Sequence, residues 1–258
     1  MALKLNKEIF LPSEDDLPES DGEPMETENH ILQFQLLIDF FKSYYQGQRV
    51  YANGNMFVYF SKDQLKNKDF KGPDFFIVLD VDPRLRKSWV VWQEGKGPDV
   101  VIELTSESTA KIDKVDKKLV YQDKLRVPEY ILFDPISKEL SGFELVDGKY
   151  RDIEKDEKGR IISQRLNLFF TLWEGEFLGV HDIWLRCHSL DDLLIPSSAE
   201  KERHIADKEH RRANMEHQRA ESERQRAENE RQRAESERQR AEKLSEQLKK
   251  LGINPDEI

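Results

Sequence analysis

The chain of 258 residues has little of what marks several common classes of protein. It contains one cysteine, Cys187, which excludes an internal disulfide and favours a reducing compartment. No apolar run approaches the roughly 20 residues that a membrane-spanning helix needs. The first residues also lack the long apolar core of a signal peptide. We therefore expect a cytoplasmic protein without a membrane partner.

Two kinds of functional site are also missing. The six histidines and Cys187 show no spacing typical of zinc ligands. The adjacent pair Cys187-His188 is expected to be structural. There is no glycine-rich loop that would cradle a phosphate group. The sequence thus argues against a zinc protein and against a P-loop nucleotide-binding protein.

Acidic residues outnumber basic ones, 51 to 41, but the excess is local. Residues 12–28 contain eight acidic residues and no basic residue, whereas residues 199–258 contain 15 of each sign. Removing the eight from the net charge of −10 leaves −2 for the rest of the chain. This balance is unlike that of proteins that bind DNA without specificity, although a nuclease needs only a local basic groove.

Changes in composition divide the chain into four predicted segments. Residues 1–24 are rich in Pro, Asp and Glu and have the composition of a disordered lead. Residues 25–198 alternate apolar runs with turn signals and are predicted to form one globular domain. Residues 199–251 form a charged heptad repeat, and residues 252–258 are a short terminus.

The globular segment opens with a predicted amphipathic helix. Thr27 or Asn29 could cap its start, and Gly47 marks its end. Residues 50–60 then alternate around Asn-Gly-Asn at 53–55, which favours a strand or a hairpin. The apolar residues of the helix recur at helical spacing: Ile31, Phe34, Leu37, Ile38 and Phe41.

Three short apolar runs are typical of strands buried on both faces, at 75–79, 100–104 and 130–133. Residues 109–124, between the last two, are predicted to form a helix. The order strand, strand, helix, strand predicts an α/β fold in which a mixed sheet is flanked by helices. Further hairpins are predicted around Asp-Gly at 147–148 and Lys-Gly at 158–159, and over 161–170.

The tail repeats Glu-Ser-Glu-Arg-Gln-Arg-Ala with a period of seven. Its alanines are Ala206, Ala213, Ala220, Ala227, Ala234 and Ala241, and the residue three positions after each of the first five is a glutamate. Only Leu244, Leu248 and Leu251 make an apolar seam, and a strong coiled coil needs apolar residues at both seam positions. We expect a long, coiled-coil-like helix that self-associates weakly through this leucine end. A solvated helical spacer is the alternative.

Carboxylates mark the strand-like segments. Glu103 interrupts an apolar strand, and a carboxylate buried there needs a partner, which makes it the best candidate metal ligand. Asp74 begins the preceding strand and is the natural second ligand, and the carbonyl of Leu104 could be a third. Oxygen ligands of this kind suit a hard divalent cation. Asp74 and Asp99 both follow a proline, however, and either could simply be a turn residue.

A lysine could complete this site by orienting a water molecule. Lys114, Lys117 and Tyr121 fall on one face of the predicted helix, at spacings of three and four. That face could look toward the carboxylates. The competing interpretation is a surface helix in which Asp113 and Lys117 form an ordinary ion pair.

Residues 72–135 resemble the Uma-type putative restriction endonuclease family of the PD-(D/E)XK nuclease superfamily. Weaker similarity extends from His30 to about Ser198, and some members carry a tail with similar repeats. The matching pieces are Pro73-Asp74, Pro98-Asp99-Val100-Val101-Ile102-Glu103-Leu104-Thr105-Ser106, Asp113 with Lys117 and Tyr121, and Val127-Pro128-Glu129-Tyr130 through Asp134-Pro135.

The resemblance implies a restriction-endonuclease-like α/β core in which Asp74 and Glu103 bind Mg²⁺, or Mn²⁺ in its place. In the superfamily a lysine normally stands two residues after the strand glutamate, where this chain has Thr105. A lysine moved onto the following helix would match Lys117, with Lys114 and Lys118 as rivals.

We therefore predict a Mg²⁺-dependent endonuclease that hydrolyses phosphodiester bonds in DNA. Its predicted catalytic residues are Asp74, Glu103 and Lys117, and its predicted metal ligands are Asp74, Glu103 and Leu104. DNA is the expected partner and a homodimer the expected assembly. The alternative is a catalytically inactive nuclease fold that binds nucleic acid or a protein partner through its C-terminal helix. Thr105 and the acidic balance favour that alternative.

Overall fold

The computed structural model describes residues 27–61, 70–105 and 116–250. The chain separates into two compact units, Met1–Ser198 and Ala199–Ile258. The predicted lead 1–24 and terminus 252–258 lie outside the described residues, as do residues 109–115 of the predicted helix.

The first unit contains helices and strands in mixed order. In chain order they are α1 (Glu28–Tyr44), β1 (Val50–Asn53), β2 (Val58–Tyr59), β3 (Phe70–Lys71), β4 (Phe75–Leu79), β5 (Trp89–Val90), α2 (Val91–Glu94), β6 (Val100–Leu104), α3 (116–120, followed by the π-helical turn Tyr121–Leu125), β7 (Glu129–Phe133), β8 (Leu140–Val146), β9 (Lys149–Asp152), β10 (Ile161–Ser163), β11 (Leu168–Phe177) and β12 (Val180–Ser189).

The central sheet has six strands in the order β1-β4-β6-β7-β8-β9. β6 and β7 are parallel, whereas the other neighbours are antiparallel, so the sheet is mixed. A parallel pair needs a crossover connection, and the chain between β6 and β7 includes α3. The predicted α/β fold with a mixed sheet is therefore confirmed.

Both faces of the sheet are covered, which explains why its central strands are mostly apolar. On one face, Phe40 and Phe41 of α1 pack against residues such as Phe75 of β4, together with side chains of β10, β11 and β12. On the other face, Tyr121 packs with Val101 of β6 and its neighbours. Glu103 lies on this second face, because alternate residues of a strand share a face.

The Asn-Gly-Asn signal at 53–55 does not make a hairpin. β1 pairs with β4, whereas β2 pairs with β3 and β5 in a separate small sheet, so the hairpin interpretation of residues 50–60 is wrong. The glycine serves a close approach instead, because Gly54 lies against the backbone at Asp74.

The later hairpins agree in part with the sequence. Asp147-Gly148 joins β8 to β9 as predicted, with positive φ at both residues. β10 and β11 pair within the predicted region 161–170. Lys158-Gly159 lies between β9 and β10, two strands that belong to different sheets. The long hairpin of β11 and β12, in which each strand has ten residues, was not predicted.

The second unit is built on one long helix, α4 (Ser198–Lys250), of 53 residues. At 1.5 Å per residue it extends roughly 80 Å. Pairs four residues apart connect its side chains, as in Arg212–Glu216 at 3.2 Å and Arg238–Glu242 at 3.1 Å. Each such pair adds only a few tenths of a kcal/mol. Across the described ranges, no helix combines the length and the apolarity needed to cross a membrane.

Candidate active site

Strand register brings Asp74 and Glu103 together. β4 and β6 are antiparallel, with Phe75 opposite Ile102. Asp74 precedes Phe75 and Glu103 follows Ile102, so the next step of the ladder places the two carboxylates side by side on one face. The backbone N–H of Leu104 donates to Asp74 Oδ2 at 2.7 Å and fixes that carboxylate at the end of β6.

Glu103 is 3% exposed and receives a donor on each oxygen. The Tyr121 hydroxyl donates to Oε1 at 2.6 Å, and Lys117 Nζ donates to Oε2 at 3.1 Å. Both residues come from α3 and its π-helical turn, four positions apart, so one helical face supplies both contacts. A buried carboxylate with two donors does not carry the desolvation penalty of an unpaired charge.

The two carboxylates repel each other. Burial raises the pKa of Asp74 well above its usual range, the charge of Glu103 raises it further, and the Lys117 ammonium opposes the shift. Burial and the charge of Glu103 also raise the pKa of the Tyr121 hydroxyl, which therefore remains a hydrogen-bond donor. The carboxylate pair is a place where a proton or a cation relieves the repulsion.

The Leu104 carbonyl lies at the same strand end. It accepts a hydrogen bond from His30 Nε2 at 2.9 Å, and His30 Nδ1 lies 2.7 Å from the hydroxyl of Thr27, the N-cap of α1. This bond uses one lone pair of the carbonyl oxygen and leaves the second for another partner. His30 thus connects the start of α1 to the strand end that carries the two carboxylates.

The other candidates have different surroundings. Asp99 Oδ2 accepts from the Leu79 N–H at 2.8 Å and from Lys96 Nζ at 2.6 Å, so this carboxylate joins the strands at the opposite end of β6. The Lys118 ammonium lies 3.2 Å from the centre of the Phe143 ring. Lys114 and Asp113 lie outside the described residues.

Thr105 stands two residues after Glu103, where the resemblance implies a lysine. Thr105 is buried, and its N–H donates to the Phe133 carbonyl at 2.8 Å, which continues the ladder between β6 and β7. Lys117 of α3 brings an ammonium to the same strand end, with its Nζ 3.1 Å from Glu103 Oε2.

The donor set suits a hard cation. Two carboxylates and a backbone carbonyl are oxygen ligands of the kind that Mg²⁺ and Mn²⁺ prefer. Within 27–61, 70–105 and 116–250 there is no cluster of three or more His, Cys, Asp or Glu side chains that could hold a metal ion. A site on these strands would therefore depend on the two carboxylates, the carbonyl oxygen and ligands from substrate or water.

Two contacts at this site were not found from the sequence. One is the hydrogen bond from the Tyr121 hydroxyl to Glu103, and the other is the close approach of Gly54 to the backbone of Asp74. Helical spacing indicates that Tyr121 lies on the same face as Lys117. The contact of Gly54 with Asp74 depends on the pairing of β1 with β4, which local sequence does not specify.

Comparison with known proteins confirms the resemblance. The Uma2 family model, described as "Putative restriction endonuclease", matches residues 11–173, more than half of the chain. A solved structure of a putative nuclease belonging to DUF820 from Anabaena variabilis ATCC 29413 is 12% identical, with a TM-score of 0.41 over 59% of this chain and 89% of that chain. No curated protein matches.

Proposed function

We propose, from the premise that this chain belongs to the putative restriction endonuclease family, that it is a divalent-metal-dependent endonuclease acting on DNA. Membership places it among nucleases at the level of the family. The metal, the substrate and the residue roles are our proposal. The observation that carries it is the pairing of Asp74 with Glu103, with Lys117 Nζ 3.1 Å from Glu103.

We propose that Asp74, Glu103 and the Leu104 carbonyl hold Mg²⁺, with Mn²⁺ as a substitute. The raised pKa of Asp74 supports this, because a doubly charged cation relieves the repulsion that otherwise favours protonation. The N–H of Leu104 on Asp74 and the Tyr121 hydroxyl on Glu103 orient the two carboxylates before a cation arrives. Such outer contacts normally tune metal affinity.

Each residue then has one task in hydrolysis. The bound cation would supply the charge that polarises the scissile phosphate and lowers the pKa of a water molecule. Lys117 orients the attacking water or stabilises the developing negative charge, because its ammonium already lies at the carboxylate pair. Attack proceeds in line, and none of these side chains has to form a covalent intermediate.

The assembly is also a proposal. Many enzymes that cut both strands of DNA pair two active sites, and we propose a homodimer on that ground. α4 offers a self-association surface at Leu244 and Leu248, and the same surface could bind a protein partner. The described residues of α4 beyond its first turn are otherwise almost entirely exposed, and their 12 acidic and 14 basic side chains nearly balance, which also suits a spacer.

Calorimetric titration with Mg²⁺ and Mn²⁺, paired with plasmid nicking on the same samples, tests the proposal. The variants are Asp74→Asn and Glu103→Gln, which keep side-chain size and remove the negative charge. Glu144→Gln is the matched control, an exposed strand glutamate on β8. We expect the wild type and the control to bind metal and nick DNA, and both site variants to lose both properties.

Two results would contradict the proposal. If wild-type protein binds no metal even with DNA present, the carboxylate pair is not a metal site. If it binds metal but cuts neither DNA nor RNA, Lys117 does not replace the lysine absent at Thr105, and the non-catalytic interaction module becomes the better interpretation. Deletion of residues 199–258 would then be expected to remove partner binding while the first unit stays folded.

A further inference from the structure

We infer that Gly54 is a positioning residue for the metal site, because its missing side chain lets the loop between β1 and β2 lie against the backbone of Asp74. The inference rests on the proposed function to the extent that Asp74 is a metal ligand. It gives the Asn-Gly-Asn segment at 53–55 a task in the site in place of the hairpin turn that its sequence suggested.

The geometry leaves no room for a side chain at Gly54. A Cβ at this position would lie 1.8 Å from the Asp74 carbonyl oxygen and 2.7 Å from Phe75 Cα. The next residue stabilises the same contact, because the Asn55 N–H donates to the carbonyls of Pro73 and Asp74 at 3.1 and 3.2 Å. The loop is thus fixed at the residue whose carboxylate faces Glu103.

The clash would move the backbone by more than the distances in a metal site can tolerate. Non-bonded carbon and oxygen approach to about 3.3 Å even in close contacts, so an alanine at position 54 requires the two backbones to separate by roughly 1.5 Å. Metal–ligand distances are held to within about 0.2 Å. A shift of that size at Asp74 would take its carboxylate out of reach of a cation held by Glu103.

No easy relaxation is available on either side. All three atoms nearest the added Cβ belong to the backbone, so a change of rotamer does not relieve the contact. Gly54 follows β1, where Asn53 pairs with Phe76, and both strands are therefore tied at this point. The φ of Gly54 lies outside the left-handed region, so an alanine would suffer the clash and not backbone strain.

The test is the affinity for Mn²⁺ and Mg²⁺ of full-length Gly54→Ala, measured by calorimetry on protein that circular dichroism shows to be folded. Gly72→Ala is the matched control: it lies two residues before Asp74, and its added Cβ would meet only the Phe57 ring at an ordinary 3.5 Å. We expect Gly54→Ala to bind metal about 10- to 100-fold more weakly, and Gly72→Ala to bind like the wild type.

The outcomes separate this inference from the proposed function. Wild-type affinity in folded Gly54→Ala, alongside loss of binding in Asp74→Asn, would overturn the role of Gly54 and leave the metal site standing. Equal weakening in Gly72→Ala would also overturn it, because the effect would then belong to the whole segment. No metal binding by the wild type, with or without DNA, would overturn both.

A measurement on the wild type covers the case in which Gly54→Ala does not fold. The Asn55 N–H donates to the carbonyls of Pro73 and Asp74. A metal that fixes Asp74 should therefore slow the exchange of the Asn55 amide hydrogen with solvent. The Gln48 amide, which bonds to the Tyr45 carbonyl within its own turn, is the control. Slower exchange at Asn55 alone on adding Mg²⁺ supports the inference, and unchanged exchange at Asn55 overturns it.

Discussion

The same tripeptide, Gly-Pro-Asp, precedes both β4 and β6, yet its two aspartates have opposite surroundings. Asp99 accepts hydrogen bonds from the Leu79 N–H and from Lys96 and meets no other carboxylate among the contacts described above. Asp74 lies beside Glu103, and burial together with the charge of Glu103 raises the pKa of Asp74. Because β4 and β6 are antiparallel, the residue before one strand lies at the far end of the other.

This difference shows that burial of a carboxylate does not identify a functional site. Asp99, just before β6, and Glu103, within β6, are both buried, and each is paired with a lysine. What distinguishes the Glu103 end is a second carboxylate within reach, which leaves negative charge in excess. The Asp99 end is electrically balanced and serves to join strands.

The largest expected effect concerns Lys117 and Lys96, the lysines at the two ends of β6. We predict that Lys117→Met lowers the rate of DNA cleavage by about 10²–10³-fold, the usual result of removing one group that stabilises a transition state. Metal binding should persist, because Lys117 is not a ligand. Plasmid nicking and calorimetry on one sample measure both properties.

Lys96→Met is the matched control at the other end. Lys96 Nζ donates to Asp99 and to the Leu79 carbonyl at 2.9 Å, so its loss should lower stability and leave cleavage by the folded protein unchanged. If the two variants lost cleavage equally, the distinction between a structural end and an active end of β6 would fail.

A second prediction compares the replacement of Asp99 by asparagine with the same replacement of Asp74. Asp99→Asn should destabilise the metal-free protein by about 1–3 kcal/mol, because its charge-assisted bonds weaken inside the fold. Asp74→Asn should instead stabilise the metal-free protein, because it removes the repulsion with Glu103. Urea unfolding in the presence of a chelator measures both changes. Destabilisation of similar size in both variants would contradict the comparison.

Much of the central sheet was predictable from the sequence. The apolar runs of β4, β6 and β7 identified buried strands, because strands covered on both faces lack polar alternation. The hairpin of β11 and β12 was missed because its turn is Leu178-Gly179, which lacks the usual Asn-Gly or Asp-Gly signal although both residues have positive φ.

The candidate site was predictable only in part. Glu103 stood out as the one polar residue of an apolar strand, and helical spacing placed Lys117 and Tyr121 on one face. Sequence reasoning and the family resemblance selected Asp74 over Asp99, but the physical cause of the difference is the antiparallel pairing of β4 and β6, which local sequence does not specify. The role of Gly54 depends likewise on the pairing of β1 with β4, a contact that local patterns do not specify.

The smallest expected effect concerns pH. Burial and Glu103 raise the pKa of Asp74 in the folded protein, so the folded state binds more protons than the unfolded state above the ordinary aspartate value of about 3.9. The contribution of Asp74 to stability is therefore fully present below that value and is lost as pH rises through the raised pKa. We predict that the Tm of metal-free wild type falls relative to that of Asp74→Asn over this window.

Thermal melts of the two proteins across pH measure the effect, and taking their difference cancels the titration of all groups that behave alike in both. Since 1 kcal/mol moves the Tm of a domain of this size by roughly 2–4 °C, we expect a change of a few degrees. Mg²⁺ should restore the wild type most strongly at neutral pH, because a cation replaces the proton that is lost between the carboxylates. A difference in Tm that does not vary with pH would show that Asp74 and Glu103 are no more coupled than Asp99 and its lysine.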